Sequence, residues 1–458
     1  MKRLGLIIIS ICIIFNTYNV FAKEKVFSLN KYTEEKREFI KKSYPKNNKM
    51  DGFITGGTFL KETIEQDDTS YDDYQIMLIK YKKNGEIKWT FTYGKTKVDI
   101  MRGLDYTYDE SGNIDGYLVL MDKTEDIDEE ITEENPQPEQ TSQSLFLKIS
   151  LDGKLLWEKP TSSITEEQLS AIIPSTNEDN QVDGYIAIGN INSEKTILTK
   201  YDRDLNRLWV KEQPIENNQK QRKFTEIIPN NQENKTIGYV LIEEITNDNN
   251  KVESKIVRYS KDGDFISKQE EALKNDLIYH LSTANNGFIL YGETKEVKLK
   301  KGNTSFFLIQ YNSELEESWE TIGDTPIDAK KSIILYPLLK ENKISEYVLL
   351  YSNKSDSSAE VVKLDLDGGI EKKVKKINND YYDFENFAFE NNTLYLIGQI
   401  NCPEDDTCDY DSNSLFLISD EDKVIEVKDN DSKNILVIFS IVVIILAIAI
   451  VIRQKRKA

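Results

Sequence analysis

Two cysteines lie six residues apart near the end of the chain, as Cys402 and Cys408 in the segment NCPEDDTCDY. In an exported protein this spacing suits a local disulfide that closes a short ring. Two free thiols are the main alternative. A metal site or redox chemistry would need more soft ligands nearby than this segment contains. The sequence therefore predicts a candidate disulfide between Cys402 and Cys408.

The other residues that could do chemistry are isolated. The only histidine, His280, alternates with apolar neighbours in DLIYHLST and is interpreted as a strand residue. Asp202-x-Asp204 and Asp365-x-Asp367 resemble the start of a calcium loop but lack its distal Glu, so they are interpreted as solvated turns. No catalytic triad of His with Ser or Cys is recognisable, and no catalytic carboxylate pair can be identified among the 79 acidic residues. We therefore predict no catalytic, cofactor-binding or metal-binding residue, and no cofactor.

The charge of the chain argues against nucleic-acid partners. Its formal net charge is −20, from 79 acidic and 59 basic residues. The two end segments, residues 1–22 and 453–458, hold six basic and no acidic residues, so the body of the chain is more acidic than the total indicates. Such a surface repels phosphate backbones. We predict no nucleic-acid partner.

The first 22 residues are typical of a cleaved signal peptide. A basic start, MKR, precedes a short apolar run, and a small-residue cleavage motif ends at Ala22. A lipid anchor on Cys12 is the alternative, but it would need a small residue where the chain has Ile11. We expect an exported chain that begins at Lys23.

A transmembrane helix is predicted over residues 435–452. These 18 residues are uncharged, and 15 of them are Ile, Leu, Val or Phe. As a helix they would reach ~27 Å, close to the thickness of the hydrocarbon core of a bilayer. The basic tail, residues 453–458, is expected to stay cytoplasmic, which places residues 23–430 outside the cell. A buried core helix is the alternative, but such helices carry a polar face.

A repeated segment fills the chain between these ends. Three copies lack a tryptophan and are centred on Tyr259, Leu364 and Ile418. Four copies, such as LFLKISLDGKLLW, end in a tryptophan, and successive copies are about 56 residues apart on average. The four tryptophans are Trp89, Trp157, Trp209 and Trp319. This regularity predicts one structural unit repeated seven times.

Each copy has the pattern of a β-hairpin, with period-two apolar alternation and a turn such as Asp152-Gly153. The tryptophan is expected on a buried face. A strand such as DGYIAIG precedes each hairpin, and a further short strand, such as LSAIIP, precedes that one. In the first copy this slot is filled by EFIKKSYP, for which a short helix is the alternative.

Seven repeats of four strands, without amphipathic helices between them, predict an all-β fold: a seven-bladed β-propeller with four-stranded blades. One small sheet cannot bury both of its faces, whereas a ring of sheets can. Six or eight blades, two β-sandwiches or a solenoid are the alternatives. The acidic insertion over residues 121–143 is expected to be a solvated loop, with calcium collection or partner binding as alternatives.

The combination DGYIAIG and ILTKYDRDLNRLW resembles exported bacterial β-propeller repeat proteins, whose copies read DGGYIVAG and then VKLDxxGNLxW. The resemblance covers nearly all of residues 36–427. It implies the propeller fold and export, and it implies no single activity. The turn SLDGKLLW is also similar to the Asp-box of sialidases, although Lys154 stands at its glycine position and Gly153 comes one place early. That resemblance implies a structural turn.

These observations predict a single-pass protein of the bacterial cell membrane with an extracellular β-propeller. Loops at one end of the ring are expected to bind a protein or glycan partner. One alternative is a surface polysaccharide hydrolase or lyase, with acids and tyrosines lining the central channel. Another is a structural subunit of an envelope assembly. Ionisable and aromatic side chains converging in a channel would favour the enzyme, and a flat apolar patch would favour protein binding.

Overall fold

The computed structural model describes much of residues 26–425. The described ranges are 26–28, 33–44, 50–66, 69–96, 98–126, 140–163, 167–192, 195–215, 219–269, 279–294, 304–327, 333–340, 343–353, 358–378, 382–390, 393–400, 413–419 and 423–425. The predicted signal peptide, the predicted transmembrane segment 435–452, the tail 453–458, Cys402 and Cys408 lie outside them. Within these ranges every regular element is a strand. The described residues include no apolar helix long enough to cross a membrane.

The strands form successive antiparallel units, here called blades. Blade 1 consists of β2 (Thr33–Ser43), β3 (Gly52–Gln66), β4 (Thr69–Lys82) and β5 (Ile87–Tyr93). Blade 2 consists of β6 (Val98–Tyr108), β7 (Ile114–Asp126), β8 (Gln140–Ser150) and β9 (Leu155–Pro160). Blade 3 consists of β10 (Glu167–Thr176), β11 (Val182–Ile191), β12 (Lys195–Asp202) and β13 (Arg207–Pro214). Blade 4 consists of β14 (Gln219–Gln232), β15 (Lys235–Asn247), β16 (Val252–Ser260) and β17 (Phe265–Lys268).

The remaining blades follow the same order. Blade 5 consists of β18 (Tyr279–Thr283), β19 (Phe288–Thr294), β20 (Ser305–Tyr311) and β21 (Glu317–Ile322). Blade 6 consists of β22 (Ile334–Lys340), β23 (Lys343–Asn353), β24 (Ser358–Leu364) and β25 (Ile370–Asn378). Blade 7 consists of β26 (Tyr382–Glu390), β27 (Thr393–Ile400), β28 (Asn413–Ser419) and β29 (Lys423–Ile425).

The first strand of each blade lines the centre of a ring. The contacts run from β2 to β6, β10, β14, β18, β22 and β26, and from β26 back to β2. Blade 7 also includes β1 (Val26–Ser28), which pairs with residues 414–416 of β28, while β29 pairs with residues 417–419 of the same strand. The predicted all-β propeller is confirmed. The first slot, β2, is a strand and not a helix.

The core lies between neighbouring blades. One cluster joins Ile186, Ile188 and Leu198 of blade 3 to Leu241 and Val257 of blade 4, all of them buried. Each such side chain contributes roughly 1.5–3 kcal/mol on burial. Period-two alternation places these residues on the faces of the sheets, so a blade obtains its stability from the next blade.

The acidic insertion is shorter than its sequence pattern predicts. Strands β7 and β8 continue into residues 121–126 and 140–143, and they pair in register from Asp122 opposite Ser144 to Asp126 opposite Gln140. Asp122 is buried. Its carboxylate accepts hydrogen bonds from Ser144 Oγ at 2.5 Å and from Arg102 Nε at 2.7 Å, which offset the cost of burying the charge. The prediction of a loop from 121 to 143 is therefore wrong at both ends, and residues 127–139 lie outside the described part.

The glycine of the recurring Asp-Gly-Tyr segment permits close approach to the third strand. A β-carbon at Gly52 would lie 1.8 Å from the carbonyl oxygen of Tyr81, and one at Gly184 would lie 2.0 Å from that of Tyr201. These distances are far below van der Waals contact. Only glycine fits there without movement of the backbone.

The aspartate of the same segment pairs with a lysine on the third strand. Lys80 Nζ lies 2.5 Å from Asp51 Oδ1, and its side chain is only 2% exposed. Burial alone would raise the pKa of Asp51, but the hydrogen bond and charge of Lys80 outweigh burial and lower it. The equivalent pairs are Asp115 with Lys148 at 2.6 Å and Asp183 with Lys200 at 2.8 Å. These pairs were not predicted from the sequence.

All four tryptophans are half-buried, and three of them lie over the hairpin turn of the next blade. A β-carbon at Gly153 would lie 2.7 Å from the Trp89 ring, and Gly263 and Gly368 approach Trp209 and Trp319 as closely. These turn glycines have φ values of 77–80°, which favour glycine. The repeated turn and tryptophan therefore interlock neighbouring blades.

Candidate functional site

One end of the ring carries the connections from first to second strand and from third to fourth strand. Both kinds of connection lie at the same end because consecutive strands of each blade are antiparallel. We call it the turn end. It includes the turn at residues 109–113 of blade 2 and the turn at residues 202–206 of blade 3.

Tyrosines gather at the turn end of the central channel. The tyrosine cluster consists of Tyr44, Tyr106, Tyr108 and Tyr336. The ring of Tyr106 lies 6.2 Å from that of Tyr44 and 6.5 Å from that of Tyr108, and all four residues are half-buried. The cluster draws on blades 1, 2 and 6, so it extends across the channel.

Two lysines lie over this cluster. Lys41 Nζ lies 5.7 Å from the centre of the Tyr106 ring, and Lys42 Nζ lies 5.7 Å from the centre of the Tyr336 ring. Lys41 also forms an ion pair with the buried Asp105 at 2.9 Å. Burial, reinforced by the negative charge of Asp105, raises the pKa of Tyr106 well above its usual value. Its hydroxyl therefore stays protonated and donates a hydrogen bond to the Lys42 carbonyl at 2.5 Å.

A cavity of about 620 Å³ adjoins the cluster between blades 2 and 3. Its volume lies within the range of roughly 300–1,000 Å³ that is usual for ligand sites. Tyr108 belongs to both features, so the cavity continues the aromatic surface of the channel outward. The cavity is lined by Tyr108, Asp109, Glu110, Asp115, Lys148, Trp157, Glu158, Lys159, Arg203 and Asp204.

The positive groups of the cavity are bound to oxygens of this chain. Arg203 Nε donates to the carbonyl of Val182 at 2.7 Å, and one of its terminal nitrogens donates to that of Glu110 at 3.0 Å. Lys148 pairs with Asp115 at 2.6 Å. Lys159 Nζ donates to Asn206 Oδ1, also at 2.6 Å. These contacts hold the cationic side chains against the walls of the cavity. The carboxylates that line the cavity outnumber the cations.

His280 lies on the first strand of blade 5, as predicted, and it has a partner that the sequence did not indicate. Its Nδ1 lies 2.6 Å from Glu226 Oε1 on the first strand of blade 4. The other oxygen of Glu226 accepts the backbone N–H of Leu281 at 2.7 Å. Burial opposes the charged imidazole, but the hydrogen bond and charge of Glu226, aided by Glu293, raise the pKa of His280.

This pair makes the stability of the ring depend on pH. Because the pKa of His280 is raised in the folded state, the stabilisation is fully present below about 6.5, the value of a free imidazole, and it is lost as pH rises through the folded value. We expect the urea midpoint of the wild-type protein to fall between pH 6 and pH 8 more steeply than that of His280→Gln. Parallel curves for the two proteins would contradict this assignment.

The calcium-like segments form turns, in agreement with their interpretation as solvated loops. Asp365 Oδ1 accepts the backbone N–H groups of Asp367 and Gly369 at 2.9 and 2.7 Å. Asp202 Oδ1 accepts the N–H of Asn206 at 2.7 Å. Within the described ranges, no three metal-ligating side chains lie close enough together to hold an ion.

No family model matches the chain, and no curated protein matches it in sequence. Among solved structures it is similar to the Dos1 propeller, with 10% identity, a TM-score of 0.47 and coverage of 89% of this chain and 98% of that one. It is also similar to the β-propeller domain of the Trilobed protease from Pyrococcus furiosus, with 11% identity, a TM-score of 0.45 and coverage of 88% and 98%. The polysaccharide lyase Uly1 gives 10% identity, a TM-score of 0.45 and coverage of 88% and 100%.

Proposed function

We propose that this chain is a membrane-anchored extracellular β-propeller that binds a protein or glycan partner at its turn end. The observation that carries the proposal is the cavity between blades 2 and 3, which is continuous with the tyrosine cluster through Tyr108. Tyrosine and tryptophan bury large surfaces at little cost in side-chain entropy, and they are enriched where proteins bind partners. An outward-facing aromatic surface of this kind suits recognition.

The anchoring part of the proposal depends on the two ends of the sequence. The apolar run over residues 435–452 supports a single membrane crossing, and the basic residues that follow it support a cytoplasmic tail. A tag placed after Ala458 should resist protease on intact cells and become sensitive after permeabilisation. Cleavage on intact cells would overturn the orientation.

Binding at the turn end is tested by photocrosslinking on the cell surface. A photoreactive phenylalanine derivative in place of Tyr108 would lie at the cavity. The matched control replaces Asn249, which is exposed on the β15–β16 turn at the opposite end of the ring. We expect a crosslinked species from position 108 and none from position 249. Equal products from both positions, or none from position 108, would contradict binding at this end.

A surface polysaccharide hydrolase or lyase is the second candidate, because ionisable and aromatic groups converge in the channel. Tyr106, Lys41 and Asp105 lie together there, as do Glu226 and His280. Incubation of the full chain with cell-wall polysaccharides, followed by assays for new reducing ends and unsaturated products, decides between turnover and binding.

A further inference from the structure

The junction between blades 2 and 3 differs from the other junctions that carry a tryptophan. Where Trp89, Trp209 and Trp319 meet the next blade, the turn has glycine, but the turn opposite Trp157 has Leu205. Leu205 has a φ of 57° and is 2% exposed. The glycine of the repeat is thus replaced by a large buried side chain in the same left-handed conformation.

This replacement changes how the tryptophan can pack. A β-carbon added at any of the three turn glycines would clash with the tryptophan ring of the preceding blade. Leu205 therefore stands between its turn and Trp157, so the indole cannot rest on the backbone of the turn. Trp89 and Trp319 donate their indole N–H to turn carbonyls at 3.1 and 3.0 Å, whereas Trp157, like Trp209, donates to no group in the described part of the chain.

The cavity opens at this tryptophan. Besides the indole, its rim presents the exposed carboxylates of Glu110 and Asp204, which accept no hydrogen bond from described residues. An aromatic face beside free hydrogen-bond acceptors matches a pyranose ring, which has an apolar C–H face and hydroxyl donors at its edge. The excess of carboxylates repels acidic ligands.

We propose that Trp157 is the stacking platform of an oligosaccharide site that accepts neutral or amino-bearing sugars. This inference rests on the proposed binding function and names the class of its ligand. Leu205 acts as a spacer that holds the indole away from the turn and keeps the cavity open. Glu110 and Asp204 accept hydrogen bonds from sugar hydroxyl or ammonium groups at the rim.

The purified full chain is titrated in a calorimeter with tetramers of N-acetylglucosamine, glucosamine and glucose, and with a galacturonate tetramer. We expect binding of at least one of the first three and none of the acidic tetramer. Trp157→Ala should weaken the binding at least roughly tenfold. The matched control, Trp319→Ala, removes a tryptophan that rests on Gly368 and should change affinity less than about twofold.

Leu205→Gly provides a second and independent variant. Glycine tolerates the left-handed φ at this position, so the turn should keep its conformation while Trp157 settles onto it. We expect this variant to lose sugar binding although the tryptophan is still present. Sugar binding that survives both Trp157→Ala and Leu205→Gly overturns the site and leaves the binding function standing. Absence of sugar binding in the wild-type protein overturns the inference, and crosslinking at position 108 then decides the proposed function separately.

Discussion

Replacing Asp51 with alanine is expected to lower the free energy of unfolding by about 3 kcal/mol, the lower end of the usual cost of removing one partner of a buried ion pair, because Asp51 is itself 26% exposed. The ammonium of Lys80 would keep its buried position, with its side chain 2% exposed, and would lose the carboxylate 2.5 Å away. Burial already lowers the pKa of Lys80 against the opposing effect of Asp51. Urea unfolding followed by circular dichroism measures the loss as a lower midpoint at constant slope.

Two controls distinguish the cost of leaving a buried charge unpaired from the cost of losing an ion pair at the surface. The exposed pair of Lys211 and Asp264, at 2.8 Å, is 41% and 70% exposed, so Asp264→Ala should cost less than about 1 kcal/mol. The double variant Asp51→Ala, Lys80→Met removes both charges and should recover most of the stability. Equal losses for Asp51→Ala and Asp264→Ala would show that burial of Lys80 does not set the cost.

The second large effect is expected from Gly184→Ala. The new methyl group would lie 2.0 Å from the Tyr201 carbonyl oxygen and 3.0 Å from the Asp202 α-carbon, and both are backbone atoms that no rotamer change can move. The strands must separate, which should cost roughly 3 kcal/mol, the upper end for overpacked positions. The urea midpoint of the purified full chain measures this cost.

Gly112→Ala is the matched variant for this second prediction. Gly112 has a φ of 80° and no atom within 4 Å of a β-carbon, so alanine there tests backbone conformation without a clash. The left-handed conformation costs roughly 1–2 kcal/mol for alanine. If Gly184→Ala is no more destabilising than Gly112→Ala, close approach of the strands is not the reason for the glycine.

The fold was predictable from the sequence because its information is local and repeated. Alternating apolar residues and Asp-Gly turns define each hairpin, and the recurrence of the hairpins defines the blades. The tryptophans were predicted on a buried face, and each packs against a core cluster while remaining only partly buried, for a physical reason. A strand pattern tells which face a side chain occupies, but the ring of Trp89 lies over Gly153 of the next blade, and only the packing of two blades sets its exposure.

The candidate site was not predictable in the same way, because its parts come from different blades. Trp157 had been identified only as a repeat aromatic, and Leu205 had no role. His280 and Glu226 are 54 residues apart, close to one repeat length. A signal was present there: residues one repeat apart occupy equivalent positions on adjacent blades, so an alignment of the repeats would have placed a carboxylate beside the imidazole.

The pairing of β1 with β28 has a consequence for folding during synthesis. The two strands belong to opposite ends of the sequence, so a ribosome finishes six blades before the partner of β1 exists. At about 5–20 residues per second, that interval lasts on the order of tens of seconds. Throughout that interval β1 lacks its partner strand, and this pairing across blade 7 cannot form until β28 has been synthesised.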